Sequence, residues 1–253
     1  MKRSLLYRVL LYSVLVFVVF TFIDGHVNAQ SNWLEKGVKL YKSHRGSTDN
    51  AAPSTVEVGK GLKEALHVGT ENVVKRLGSQ DGFNKDAKIR IPLPHSLDRV
   101  KSILSKVGMS GMLDDLELRL NRAAEKATPP AKKLFWKSIT DMTFADVKTI
   151  YKGPDDAATQ YFKQKMSPSL AKEMKPVVSE SMSKVGAVRS YDEVMGKYRS
   201  ISFVPDVKAN LTDYVVEKGM DGIFFYIARE EAAIRKNPAK RTTALLKRVF
   251  DRK

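Results

Sequence analysis

The sequence predicts an all-α protein, an irregular multi-helix bundle with at most a short extended or hairpin element near residues 88–94. Two observations carry that class. Apolar residues recur at third and fourth positions in nearly every segment beyond Val56, and Gly or Pro punctuates the segment ends. Strand signals are few. The one alternating stretch, Ile89-Arg90-Ile91-Pro92-Leu93-Pro94, carries two prolines that bar it from the middle of a sheet.

The chain opens with Lys2, Arg3 and Arg8, followed by an uncharged run from Val9 to Ile23 and the small-residue exit Val27-Asn28-Ala29. That order is that of a secretory signal over residues 1–29. Extended back through Arg8 to Leu5, the same stretch approaches the roughly 20 residues of a spanning helix and reads as an uncleaved anchor. Export is expected either way, to the periplasm or beyond, and no other stretch is apolar enough to span. Residues 30–55 read as a flexible arm and linker. They open with Trp33-Leu34 and decay into Gly46-Ser47-Thr48-Asp49-Asn50.

Residues 56–250 carry the helical period. Leu62, Ala65, Leu66, Gly69, Val73 and Leu77 form a first stripe, stopped by Gly78. Leu97, Val100, Leu104 and Val107 form a second, closed by Gly108. Leu113, Leu116, Leu120, Ala124 and Ala127 form a third, expected to stop at Pro129-Pro130. A further helix is marked by Leu134, Phe135 and Ile139, and a short one by Thr143 with Asp146. Gly153-Pro154 predicts a turn, with Asp155-Asp156 capping the next helix. Ser167-Pro168 reads as a fresh helix start, Pro176 as a kink, and Ser190 with Glu193 as a capping box. Asn210 with Asp213 starts what reads as the longest helix, striped by Val216, Met220, Ile223, Ile227 and Ile234. Leu245, Leu246, Val249 and Phe250 close the domain, and residues 251–253 are a basic tail end.

Composition sets limits on function. The chain has 253 residues, 44 Lys and Arg against 28 Asp and Glu, and a formal charge of +16. Loss of residues 1–29 removes Lys2, Arg3, Arg8 and Asp24 and leaves +14. An exported protein of that charge meets an anionic lipid surface, an envelope polyanion or an acidic protein more readily than nucleic acid. The absence of cysteine excludes disulfides, thiolate metal sites and a cysteine nucleophile.

Four ordered blocks carry a family resemblance. They are Gly61 to Glu71 with Asp81-Gly82-Phe83 and Ile89 to Pro94; Glu117 to Glu125; Asp155 to Phe162; and Asp221-Gly222-Ile223-Phe224 with Ile234 to Pro238. Together they resemble the bacterial family grouped as domain of unknown function 4197, across roughly Val56 to Phe250. The resemblance implies an exported protein, a lipoprotein in many relatives, although this chain lacks the cysteine that a lipoprotein needs. It brings no activity, cofactor or catalytic residue.

No cofactor or metal is expected. His44, His67 and His95 do not pair at ligand spacing. Gly108-Met109-Ser110-Gly111 lacks the last glycine of a serine elbow, and Gly59-Lys60-Gly61 lacks the rest of a phosphate loop; both read as breaks between helices. Three surfaces stand out. Asp114, Glu117, Asn121, Arg122 and Glu125 form a polar cluster on one helix. It reads as a solvated face, as a buried network reaching Arg90 or Arg235, or as the acids of a hydrolase. Ile223, Phe224 and Ile227 sit in the most apolar patch, a core helix or one wall of an apolar groove. Arg241, Lys247, Arg248, Arg252 and Lys253 surround the last apolar stripe as an anionic-surface contact, or as ordinary solvated charges on a docked helix. The expectation is a non-enzymatic protein binding acidic envelope components or a partner protein through its basic surface. A carrier of a lipid or other apolar ligand is the alternative, and a carboxylate-dependent hydrolase the second.

Overall fold

The computed structural model describes residues 52–143, 145, 147–205 and 209–251. Eight α-helices and no strand occur among them. They are α1 (Thr55–Leu77), α2 (Asp98–Lys106), α3 (Ser110–Asp141), α4 (Val147–Lys152), α5 (Ala157–Lys184), α6 (Ala187–Arg199), α7 (Leu211–Lys236) and α8 (Ala244–Phe250). Residues 1–51, which hold the predicted leader and most of the predicted arm, and Asp146, Arg252 and Lys253 lie outside the described residues, while the last two residues of that arm, Ser54 and Thr55, belong to the start of α1. No described helix is long and apolar enough to cross a membrane.

The predicted stripes form the core, except that Val107 is 52% exposed at the end of α2. Ser54 and Glu57 start α1 with a reciprocal capping box, a signal the sequence carries at S-x-x-E and which the first stripe overshadowed. Asn210 starts α7 as expected, accepting from the Asp213 amide at 3.1 Å.

Four prolines fail to break helices. Pro129 and Pro130 lie inside α3, and Pro168 and Pro176 inside α5, which makes both longer than α7. Each proline removes one backbone bond, and all four sit on exposed positions where water can take the orphaned carbonyl. The buried stripes run on past them, through Ala131, Phe135 and Ile139 in α3 and Leu170, Met174 and Val178 in α5. Continuous burial on one side outweighs the lost bonds on the other.

Two other expected devices are replaced. Ser190 and Glu193 lie within α6 and do not cap it. The helix starts instead after Gly186, at φ +73°, while the Ser190 hydroxyl donates to Asp115 at 2.9 Å. Gly59-Lys60-Gly61 lies inside α1 rather than between helices. There a Cβ on Gly61 would fall 2.8 Å from the Val249 Cγ2, so glycine lets α8 close on α1.

At the start of α5 the Asp155-Asp156 pair does not cap. Asp156 accepts from the Gln160 side-chain Nε2 at 2.8 Å and Asp155 pairs with Lys236. The cap comes from α7. Glu231 accepts from the backbone N–H of Ala158 at 3.1 Å and of Thr159 at 2.8 Å, and from the Thr159 hydroxyl at 2.6 Å. Arg235 pairs with Glu231 at 2.7 Å and donates to the carbonyls of Tyr151 and Ile150 at the end of α4. Both side chains are at most 1% exposed. The negative carboxylate therefore sits on the positive end of α5 with its own counter-charge beside it. Glu231→Ala should lower unfolding free energy by about 3–5 kcal/mol, because Arg235 is left buried without its partner. Denaturant titration should show the Glu231→Leu, Arg235→Met pair losing less than Glu231→Ala alone.

Candidate functional site

The polar cluster of α3 is a fastening. Asn121 is fully buried; its Oδ1 accepts from the Ile91 amide and its Nδ2 donates to the Ile91 carbonyl, each at 2.8 Å. Glu125 accepts from the amides of Phe83 and Asn84 at 3.1 Å and from Arg122 at 2.6 Å. Arg122 also reaches Asp81 at 2.7 Å, and Glu117 pairs with Arg90 at 2.9 Å. Asp114 is exposed on its own. These side chains hold the irregular segment 79–94 on α3, and a Cβ on Gly222 of α7 would lie 2.9 Å from Phe83 on its other side. The buried-network reading with Arg90 describes this placement, whereas Arg235 belongs to Glu231 instead. The carboxylates do not converge on a common cleft. Hydrogen bonds from Lys85, Asn84 and Arg122 hold the Asp81 carboxyl well below its ordinary range, the opposite of a tuned general acid.

Two of the basic residues expected on a C-terminal contact surface are engaged within the fold. Arg241 is buried and turned inward, donating to the carbonyls of Ile234 and Arg235 and pairing with Asp251 at 2.5 Å. Arg248 Nε lies 3.0 Å from Glu57 Oε1, an ion-pair contact whose angle makes no hydrogen bond. Lys247 is exposed, and Arg252 and Lys253 lie outside the described residues. Leu246, Val249 and Phe250 are buried, so the core takes the apolar side of α8 that a membrane-lying helix would need to offer.

Ile223, Phe224 and Ile227 of the apolar patch of α7 are all core residues, at most 3% exposed. Phe224 stacks with Phe135 and Phe162 at 5.5 and 5.6 Å and lines a groove of about 630 Å³ between α5 and α7. Pro168, Ala171, Val216 and Met220 line it too. The helices run antiparallel there. Lys163 pairs with Asp221 at 2.7 Å at one end, and Lys175 with Asp213 at 2.6 Å at the other. Those two lysines lie about 18 Å apart along α5 at ~1.5 Å per residue. Lys163 Nζ sits 5.8 Å from the centre of the Phe224 ring. Sequence reading missed this pairing because rows of lysine on one helix and acid on another each look like solvated faces. Among the described residues no cluster of three or more His, Asp or Glu could hold a metal ion. His67 lies against Trp136 at 5.3 Å between ring centroids, and burial lowers its pKa.

The model of one protein family, described as "Protein of unknown function (DUF4197)", matches residues 52–251. No curated protein and no solved structure matches the chain.

Because Asp81 titrates lower in the folded state than in the unfolded one, its stabilisation is complete above the unfolded pKa near ~3.9. It is lost as pH falls through the folded value. Asp81→Asn should therefore flatten the acid side of the stability-versus-pH curve below about pH 4, measured by urea midpoints. Carboxyl NMR should place the Asp81 midpoint below the ~3.9 of an unperturbed aspartate.

Proposed function

The chain belongs to the DUF4197 family of proteins of unknown function, and from that premise we propose that it is a binding protein whose α5–α7 groove takes up a small apolar or amphipathic ligand. The observation that carries this reading is the groove itself. Its volume of about 630 Å³ falls within the ~300–1,000 Å³ of small-molecule sites. Its floor is the apolar side of Ala171, Val216, Met220 and Phe224, and six charged side chains line it as well. The Lys163–Asp221 and Lys175–Asp213 bridges bound it at both ends, which suits a slender molecule lying between them better than a partner helix laid across them.

Export, which the basic and apolar order of residues 1–29 supports, would bring such a groove into contact with membrane-derived lipids. Anionic-surface binding by the C-terminal end is the weaker reading, since Arg241 is buried and paired with Asp251 and Arg248 is paired with Glu57.

The neutral dye N-phenyl-1-naphthylamine should bind saturably at one site per chain, read as fluorescence enhancement. Ala171→Trp, which fills the groove from a half-buried position, should weaken that binding about tenfold or more, equivalent to ~1.4 kcal/mol. Helical circular dichroism should be retained. Absence of dye uptake by the folded wild-type protein defeats the reading.

A further inference from the structure

The end of the bundle where α3 begins gathers apolar side chains that the fold leaves uncovered. Val107 and Met109 flank Gly108, at φ +77°, in the corner between α2 and α3, and are 52% and 36% exposed. The turn after α6 comes to the same end, because α6 runs antiparallel to α3. Arg119 donates to the Val185 carbonyl just before α6, and the Ser190 hydroxyl to Asp115 a turn further on. From Ser190 to Arg199 is about 14 Å at ~1.5 Å per residue, and from Asp115 back to Ser110 about 8 Å. The last turn of α6 therefore reaches the beginning of α3, and α2 packs on both helices. Beyond it stands Phe203, a wholly exposed ring on a backbone at φ +63°. A bulky residue adopts that conformation only at a cost, so water gains Phe203 neither burial nor relaxed geometry.

Cations accompany these side chains. Arg99, Lys101 and Lys106 stand on α2 and Lys197 at the end of α6; all four are exposed and form no ion pair or hydrogen bond among the described residues. Of the acids nearby, Asp98 pairs with His95 and Glu193 with Arg189, which leaves Asp114 and Asp192 against the four. We infer that this end of the bundle is a docking face for an anionic lipid bilayer, with Val107, Met109 and Phe203 entering the head-group region and the α2 cations on the lipid phosphates. Apolar tips beside unpaired cations suit such a surface, where each basic residue adds to the attraction. A protein partner fits less well, since three of the four cations are lysines, which protein interfaces disfavour.

The chain contains no cysteine, so one introduced cysteine carries a nitrobenzoxadiazole label at a single known place. Full-length Val107→Cys and Phe203→Cys, so labelled, should brighten and shift to shorter wavelength on vesicles of equal parts phosphatidylglycerol and phosphatidylcholine. On phosphatidylcholine alone they should stay unchanged. Lys133→Cys, exposed on α3 about 36 Å from Met109 at ~1.5 Å per residue, should stay unchanged on both. Attachment of the chain through another part of it does not reproduce that pattern. Combining Arg99→Gln, Lys101→Gln and Lys106→Gln in labelled Phe203→Cys should raise the lipid needed for half the shift about tenfold or more, with helical circular dichroism retained. No response at Val107 and Phe203, an equal response on neutral vesicles or at Lys133, or undiminished insertion of the triple variant overturns the inference. A shift that grows with protein concentration without vesicles assigns the face to a second copy and overturns it too. Dye uptake by the α5–α7 groove is independent of all these outcomes.

Discussion

The carboxylate of Glu231 is the contact on which the arrangement of the later helices depends. It is contributed by α7, spent on the first amides of α5, and balanced by Arg235, which in turn ties down the end of α4. Three helices are thus registered by one buried pair. Desolvating two charges is costly, and the cost is met here because nearly every donor and acceptor of the pair finds a partner. Apolar packing alone would hold α5 against α7 with some freedom to slide. The clamp removes that freedom, and with it fixes how far apart the two helices stand where the groove lies further along them.

A parallel device serves the segment between α1 and α2. Extended backbone needs partners for its amides and carbonyls, and among the described residues no neighbouring strand supplies them. Asn121 presents a carboxamide to Ile91 as a surrogate strand residue, matching one donor and one acceptor. Glu125 does the same for the turn at Phe83 and Asn84 with its acceptor oxygens alone. The polar residues of α3 are therefore structural in the same sense as its leucines.

The helical stripes were legible because burial is read from spacing alone, and Leu62 through Leu77 or Val216 through Ile234 needed no tertiary information. Helix limits were less legible. Proline is a local signal, and whether it ends a helix depends on which side faces water, a property of the assembled bundle. Capping failed in the same way: Asp155-Asp156 has the right chemistry in the right place, yet a glutamate 75 residues downstream of Asp156 reaches the amides first. The resemblance seen in four sequence blocks agreed with the family match over residues 52–251. Of the proposed apolar site residues, Ile223, Phe224 and Ile227 are all core, and Phe224 lies at the groove as well. Lys163, Lys172 and Asp221 gave no sign, since a cleft between two helices exists only once they are paired.

The way α1 is enclosed bears on how the chain reaches its native state. Its neighbours include α7 and α8, which arrive more than a hundred residues later, and Val249 fills the notch at Gly61. A nascent chain emerging from its N-terminal side cannot complete this hydrophobic centre until the final turn of α8 is free. Such distant pairing slows folding relative to a bundle of sequential hairpins.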